Sequence, residues 1–232
     1  MENNIQYNAL ANLFRYPTED YFKHVKECGE ILKDYYPKAY ENFKKFQEII
    51  DTKNSVELEE LFSMTFHIQA ICYLDLGYVL YAEDYKRGEF LVQMKKEQAK
   101  VGNDCGVELA DNLPNALTLL PLIEDSSFRE ELSVRMYIPA LEAMEKEFEA
   151  SRIALKTKVR RKKQKVLIQE DMKNKNAYLF AISATLDVIR EEFNIEKYVD
   201  NSVKADPLSS LIPSCESSCV TPAKTDKAVI TD

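Results

Sequence analysis

The 232-residue chain has little of the chemistry on which most enzymes depend. It contains two histidines, five glycines and no tryptophan, and it shows no GxGxxG segment, no P-loop and no HExxH motif. Two histidines leave little material for general acid–base catalysis, a histidine-rich metal site or a Ser-His-Asp triad. Adjacent acids such as Glu59 and Glu60 point in different directions on a helix and do not converge on a substrate. We therefore expect a binding protein without catalytic residues, metal or cofactor.

The five cysteines form no CxxC pair, and three of them stand singly among helical patterns. This distribution is typical of reduced thiols. Cys215 and Cys219, in the segment CESSC, could hold a metal or form a redox pair, although no neighbouring histidine completes a ligand set. A small helical metal carrier or enzyme that uses carboxylates with Cys215 and Cys219 is therefore the alternative function.

The formal net charge of -8 disfavours phosphate-bearing partners and favours basic peptides or protein surfaces. One run, Lys156 to Lys165, carries seven basic residues in ten. It lacks the aromatic side chains on which bases stack, so we interpret it as a solvated helix surface or linker. A nucleic-acid regulator that uses this run is a third, weaker hypothesis.

Long apolar runs are also missing from the chain. No stretch approaches the roughly 20 apolar residues of a membrane span, and the segment MENNIQYNALANLF lacks the basic start and apolar stretch of a signal peptide. The sequence therefore predicts a cytoplasmic protein without a membrane span.

The composition favours helices over sheets. Hydrophobic residues make up 45% and charged residues 30% of the chain, and Gly-rich turns are scarce. Apolar residues recur with a helical period from the first stripe, Tyr7, Leu10, Ala11 and Phe14, to the last, which runs from Leu179 to Phe193. We predict a single all-α domain over residues 1–199. Residues 200–232 are rich in Ser, Pro and Lys without periodicity, which predicts a disordered tail.

Local signals predict where several helices begin and end. The predicted starts are Thr18, Asn54 with Glu57, Asp84, Asn112 with Pro114, and Ser127 with Glu130. The stripe that follows Asn54 continues from Leu58 to Cys72, which predicts a long fourth helix. On this helix, His67 is expected to be partly buried and hydrogen-bonded. Pro139 should bend the helix that begins near Ser127.

The stretch GYVLYAEDYKRGEFLV, residues 77–92, interrupts the helical pattern with tyrosines, charges and two glycines. Gly77 and Gly88 each cost a helix roughly 1 kcal/mol relative to Ala, which is tolerable where backbones approach closely or a turn separates two helices. One interpretation is a peptide-binding groove that presents tyrosine rings and acids. In the other, the tyrosines are core residues and Asp84 caps a helix whose first turn contains Lys86 and Arg87. The residues alone leave both interpretations open.

A family resemblance follows from the order of four segments: LFRYP, then LEELFSMTF, then YLDLGYVLYAEDYKRGEFLVQMKK, then LADNLPNALTLL. This order resembles the nitrate reductase delta-subunit family, the assembly chaperones of molybdenum enzymes, over about residues 5 to 195. The most specific parts are the block from Leu80 to Gly88 and the acid-x-LP segment of Asp111, Leu113 and Pro114. The family usually carries acid-His-LP, whereas Asn112 stands here in place of the histidine, which leaves the identity of the client open.

The resemblance implies a single all-helical domain that binds an immature client while molybdenum cofactor is inserted. The implied partner is the catalytic, molybdenum-binding subunit of a respiratory oxidoreductase, bound through its N-terminal segment. We expect a monomer or weak homodimer, without nucleic acid as a partner. The residues expected to bind the client are Tyr73, Asp75, Tyr78, Tyr81, Glu83, Asp84, Arg87, Asp111, Leu113 and Pro114.

Overall fold

The structure, a computed structural model, describes residues 5–68, 70–161 and 177–195. Across these ranges the chain is helical and contains no β-strand, which confirms the predicted all-α class. The helices are α1 (Ile5–Leu13), α2 (Tyr21–Tyr35), α3 (Pro37–Ile50), α4 (Ser55–Phe66), α5 (Leu76–Tyr81), α6 (Tyr85–Lys100), α7 (Leu113–Leu119), α8 (Ser126–Leu132), α9 (Ile138–Arg161) and α10 (Ala177–Glu192). A 3₁₀ turn, Leu120–Leu122, follows α7, and a π-helical turn, Ser133–Tyr137, joins α8 to α9.

Some predictions concern residues beyond these ranges. The predicted disordered tail, residues 200–232, lies outside the described residues, as do positions 162–165 of the basic run. Among the helices that the structure does describe, none is both long and apolar enough to cross a membrane.

The core forms where α10 packs against α3 and α9, and where α1 and α2 pack against each other. Tyr178 of α10 lies at its centre, with ring contacts to Phe46, Phe62 and Phe66. Its hydroxyl lies 3.0 Å from that of Tyr21. Burying each such side chain contributes about 1.5–3 kcal/mol, so these aromatic contacts stabilise the packing of helices that are distant in sequence.

The first two helices agree with the predicted stripes, but one predicted cap is wrong. The four residues of the α1 stripe are all buried, as expected from their spacing. Helix α2 begins at Tyr21 with Asp20 at its N-cap, not at Thr18. The Thr18 carbonyl accepts a hydrogen bond from the Tyr21 N–H at 3.0 Å, so Thr18 belongs to the turn that precedes the helix.

Helix α4 begins as predicted and ends earlier than predicted. Asn54 and Glu57 form the reciprocal capping box, with distances of 3.0 and 2.9 Å. The helix ends at Phe66, and Ile68, expected on the buried face, is 67% exposed. The Thr65 carbonyl accepts from the N–H groups of Ile71 and Cys72, so the chain folds back over the last turn. Cys72 is buried through this loop and not through a longer helix.

The α8 start was also assigned to the wrong residue. Asp125 is the N-cap, and its carboxylate accepts from the N–H groups of Ser127 and Phe128 at 3.0 and 3.1 Å. A capping box of Ser127 with Glu130 is therefore wrong. The bend expected at Pro139 stays a prediction. A π-helical turn lies just before the proline, where the Ile138 N–H bonds to the Ser133 carbonyl. Proline has no N–H to donate, which favours a change in the bonding pattern at this point.

Candidate functional site

An isolated antiparallel bridge joins two of the four segments on which the family resemblance depends, YLDLGYVLYAEDYKRGEFLVQMKK and LADNLPNALTLL. Asp75 pairs with Asn112. The Leu76 N–H donates to the Asp111 carbonyl at 3.0 Å, and the Leu113 N–H donates to the Leu74 carbonyl at 2.8 Å. The bridge therefore places the start of α5 against the start of α7, although the segments are more than 30 residues apart.

Asp111 anchors this junction from the interior. Its side chain is 1% exposed, and its Oδ2 accepts from the Gly77 N–H at 2.9 Å. A Cβ at Gly77 would lie 2.7 Å from that oxygen and 2.9 Å from Phe90 Cδ1, so only glycine allows this approach. Gly88, by contrast, has open space around it. Burial raises the pKa of the Asp111 carboxyl, and the Gly77 hydrogen bond partly opposes this rise.

The accessible side of the junction is a cluster that we call the tyrosine surface: Tyr73, Asp75, Tyr78 and Arg87. Asn112 Nδ2 donates to Asp75 Oδ1 at 3.0 Å, and an Arg87 nitrogen lies 3.9 Å from the other Asp75 oxygen. The Arg87 guanidinium carbon lies 4.9 Å from the centre of the Tyr78 ring, which meets the Tyr73 ring edge-on at 4.4 Å. Tyr73 is 47% exposed. The cluster is thus ordered internally and still open to a partner.

The turn between α5 and α6 carries the remaining predicted acids. Asp84 is the N-cap of α6 and accepts from the Lys86 N–H at 2.9 Å, as the capping interpretation requires. Glu83 is exposed and lies 4.0 Å from Arg87. Ala82 adopts φ 51° and ψ -125°, a conformation that strains a side chain with a Cβ. Both acids therefore lie at the solvent-exposed end of the tyrosine surface.

Three of the predicted residues have little exposed surface: Leu113 and Pro114 are buried, and Tyr81 is partly buried. The Tyr81 hydroxyl lies 3.7 Å from the Met136 sulfur, and its ring contacts Phe90. Leu113 and Pro114 are buried in the first turn of α7. Among the predicted residues, these three and Asp111 therefore shape the junction more than they present side chains to a partner.

A groove of about 220 Å³ lies beside the junction, and we call it the Tyr16 groove. Asn112 connects the two features, because it lines the groove and also bonds to Asp75 of the tyrosine surface. The wall combines apolar and aromatic side chains with about as many polar and charged ones, from separate parts of the chain. Its lining residues are Phe14, Arg15, Tyr16, Phe62, His67, Leu74, Glu108, Asn112, Pro114 and Asn115.

Most of the groove residues were missed by sequence reasoning. Tyr16 is 49% exposed, its ring meets Phe62 edge-on at 5.6 Å, and its hydroxyl donates to Glu59 at 3.2 Å. His67 is exposed beside Phe62, so the expectation of a partly buried, hydrogen-bonded histidine is wrong. The segment LFRYP contributed to the family resemblance but was interpreted only as a helix end. The available signal was that this segment belongs to the resemblance and places an arginine and a tyrosine, Arg15 and Tyr16, just after a helix.

The helix that forms one wall of the groove is acidic. Helix α4 carries Glu57, Glu59 and Glu60 and no basic residue. Arg15 is the basic residue that lines the groove. Exposed carboxylates on one helix create a local negative potential that favours a cationic partner.

A cavity larger than the Tyr16 groove lies elsewhere in the described residues. It measures about 770 Å³ and is lined by Gln93, Lys96, Glu97, Lys100, Val101, Leu122, Ile123, Glu124, Asp125 and Phe128. None of the residues expected to bind a client lines it. Glu97 is already paired with Lys100 at 2.7 Å, and Asp125 caps α8. Its size alone therefore does not make it the stronger candidate.

The arrangement of His, Cys, Asp and Glu side chains bears on metal binding within the residues that the structure describes. There, no group of three or more His, Cys, Asp or Glu side chains is placed to hold an ion. Cys28 and Cys72 are buried, and burial raises the pKa of both thiols, which suppresses thiolate chemistry. Cys215 and Cys219 lie outside the described residues, so the alternative that depends on them stays a prediction.

A comparison with protein-family models and with curated protein sequences finds no match for this chain. The functional assignment therefore rests on the order of the motifs and on the geometry of the junction.

Proposed function

We propose that this protein is a cytoplasmic chaperone for a molybdenum oxidoreductase related to nitrate reductase. It binds the N-terminal segment of the immature catalytic subunit and holds the subunit while molybdenum cofactor is inserted and the complex assembles. The observation that carries the proposal is the bridge between Asp75 and Asn112. It joins the third and fourth segments of the resemblance beside the Tyr16 groove.

The groove and the tyrosine surface suit different parts of a peptide. The rings of Tyr16 and Phe62 with Leu74 offer apolar contact for side chains of the client. Asp75 and the acids of α4 can pair with basic client residues. Tyr73 and Tyr78 add rings with hydroxyl groups that donate or accept hydrogen bonds. A short segment with alternating apolar and basic residues would satisfy both features.

This function requires binding energy and no bond chemistry. A chaperone that binds the unfinished client and not the assembled complex shifts the population towards the unfinished form by mass action. Release then follows when cofactor insertion removes or covers the bound segment. The tyrosine surface and the Tyr16 groove need only modest affinity for this cycle, because the client must leave.

The test is titration calorimetry with the N-terminal peptide of the molybdenum-binding subunit encoded by the neighbouring gene. Tyr16→Ala removes one wall of the groove and should weaken binding by about 1–3 kcal/mol, as expected for an aromatic contact residue. Tyr35→Ala is the matched control, since Tyr35 is an exposed tyrosine that lines neither groove nor tyrosine surface. Equal affinity of both variants and wild type would exclude the groove as the client site.

The alternative function makes a different prediction for the purified full-length protein. A metal carrier that uses Cys215 and Cys219 would contain stoichiometric metal and would lose it in the double Cys→Ser variant. The chaperone proposal predicts no stoichiometric metal and full peptide binding by that variant. Elemental analysis beside the calorimetry distinguishes the two functions.

A further inference from the structure

A buried amide cluster lies behind the candidate site. Gln98 of α6 is only 3% exposed, and its Nε2 donates to the carbonyls of Ala110 and Asn115, both at 3.0 Å. Its Oε1 accepts from Asn103 Nδ2 at 2.6 Å. The two carbonyls come directly before Asp111 and directly after Pro114. One side chain therefore holds both ends of the acid-x-LP segment.

The cluster extends on both sides of Gln98. Asn103 Nδ2 also donates to Thr118 Oγ1 of α7 at 3.0 Å. Asn115 Nδ2 donates to the carbonyls of Cys105 and Leu109 at 3.1 and 2.9 Å. These bonds fasten the loop between α6 and α7 to both helices. Buried carbonyls that lose their donors carry a desolvation penalty, so the loop depends on these amides for its position.

We propose that Gln98 is a positioning residue for client binding. By fixing residues 110 and 115, it sets where Asn112 and Pro114 lie, and Asn112 in turn holds Asp75. Gln98 thus fixes the tyrosine surface and the Tyr16 groove relative to each other without touching the client. This inference rests on the proposed function, because the client is what the two features would share.

The acid-x-LP segment is buried at Leu113 and Pro114 in the first turn of α7, and Gln98 adds the hydrogen bonds that tie its two flanking carbonyls to α6. The bridge supplies two backbone hydrogen bonds, and Asp111 supplies one to Gly77. A side chain of similar length that cannot donate would remove the Gln98 hydrogen bond from both carbonyls. The Asn115 carbonyl would keep its bond from Thr118 Oγ1 at 3.1 Å, so the Ala110 carbonyl loses the most. A resulting shift of the segment would displace Asn112 and Pro114 together, and a site that is loose by about 1 Å loses much of its affinity.

The variant for the test is Gln98→Met in the full chain, with Gln93→Met as the control. Gln93 lies on the same helix and bonds to Glu97 at 2.7 Å, away from the junction. Two measurements are made: calorimetry with the N-terminal peptide of the neighbouring molybdenum-binding subunit, and hydrogen exchange at the amides of Leu76 and Leu113. Gln98→Met should lower the affinity for the peptide about tenfold and speed hydrogen exchange at both amides. Exchange of the amides in α3 and α10 should not change. Gln93→Met should change neither.

The outcomes separate this inference from the proposed function. If wild type binds no peptide, the proposed function and the client role of Gln98 both fail, whereas exchange still reports whether Gln98 fixes the segment. If wild type and Gln98→Met bind equally while both are folded, Gln98 has only a structural role and the inference is wrong. Should Gln98→Met not fold, Asn103→Ala removes the partner of Gln98 Oε1 and should produce a smaller change in the same two measurements. Wild-type behaviour of Asn103→Ala in both would also overturn the inference.

Discussion

Two parts of this molecule are held together by different interactions. Around α2, α3 and α10, aromatic and aliphatic side chains pack densely, and Tyr21, Phe46 and Tyr178 are buried. Around the junction of α5 and α7, apolar side chains of α7 are buried as well, and hydrogen bonds to the backbone from Asp111, Gln98 and their neighbours add to this packing. Apolar contacts tolerate small displacements, whereas hydrogen bonds depend steeply on distance and angle. Both parts therefore contribute stability through apolar packing, and the hydrogen bonds of the second also fix the shape of the surface.

The difference also predicts where the protein opens first. Helices α5 and α7 have six and seven residues, too short to be stable without their neighbours. Helix α5 buries only Leu76 and Gly77, whereas most of α7 is buried. Segments with few apolar contacts open at lower free energy than the global transition, so we expect α5 to open before α7. A client surface in the less stable part can adapt to its peptide while the core stays folded.

The largest expected effect on stability comes from a substitution in the buried apolar face of α7, which includes Leu113 and Leu117. Leu117 is fully buried, and Leu117→Asp would place an unpaired carboxylate there at a cost of several kcal/mol. We expect unfolding or aggregation, measured by circular dichroism and urea denaturation. Leu122→Asp is the control, because Leu122 is 41% exposed and should change stability by less than about 0.5 kcal/mol. A stable Leu117→Asp protein would mean that this face is not core.

The next prediction compares two glycines of one sequence stretch. Gly77→Ala should destabilise the protein by about 1–3 kcal/mol, because its Cβ would collide with Asp111 Oδ2 and the Phe90 ring. Gly88→Ala should stabilise it by up to about 1 kcal/mol, because Gly88 lies in α6 with open space around it. Urea denaturation of both variants measures the change in the free energy of unfolding, which should be negative for Gly77→Ala and positive for Gly88→Ala. A neutral Gly77→Ala would show that the approach at the junction is not a constraint.

Sequence reasoning predicted the helices well where the signal was local. The stripe of α1, the capping box at Asn54 and the start of α6 at Asp84 all depend on residues within a few positions of each other. The end of α4 was missed because Cys72 continued the apolar period while reaching the core through a loop. The cap of α8 was missed because Asp125 and Ser127 are both good caps, and the pattern alone does not choose between them.

The candidate site was predicted only in part, for a physical reason. Tyr73, Asp75, Tyr78 and Arg87 lie together as their spacing suggested, since they belong to one stretch of chain. The groove is assembled from residues far apart in sequence, and Arg15 and Tyr16 come from a turn that periodicity describes only as a helix end. Gln98 was missed because a polar residue on a helix is usually interpreted as surface. Tertiary contacts decide such positions.

The pH dependence of the free energy of unfolding would show how the buried carboxyl of Asp111 affects the stability of the junction. The pKa of Asp111 is raised in the folded state, so the ionised carboxylate costs stability at neutral pH. Asp111→Asn keeps an oxygen acceptor for the Gly77 N–H and cannot ionise. The free energy of unfolding of wild type minus that of the variant should be highest below pH about 3.9 and should fall as pH rises through the folded pKa. A difference independent of pH would show that Asp111 is not buried as described.

The smallest expected effect concerns the exposed acids at the end of the tyrosine surface. Glu83→Gln with Asp84→Asn removes two charges and should leave the fold intact, because Asn is as good an N-cap as Asp for α6. If these acids meet basic client residues, peptide affinity should fall by less than about 1 kcal/mol, since exposed charges are well screened. Calorimetry at low and high salt measures this, and the wild-type advantage should shrink as salt rises. Glu19→Gln with Asp20→Asn is the control, as these adjacent acids lie at the start of α2 and belong neither to the tyrosine surface nor to the lining of the Tyr16 groove. The same loss of affinity in the control would mean that net charge alone attracts the peptide, whereas no loss in either variant would restrict recognition to Asp75 and the Tyr16 groove.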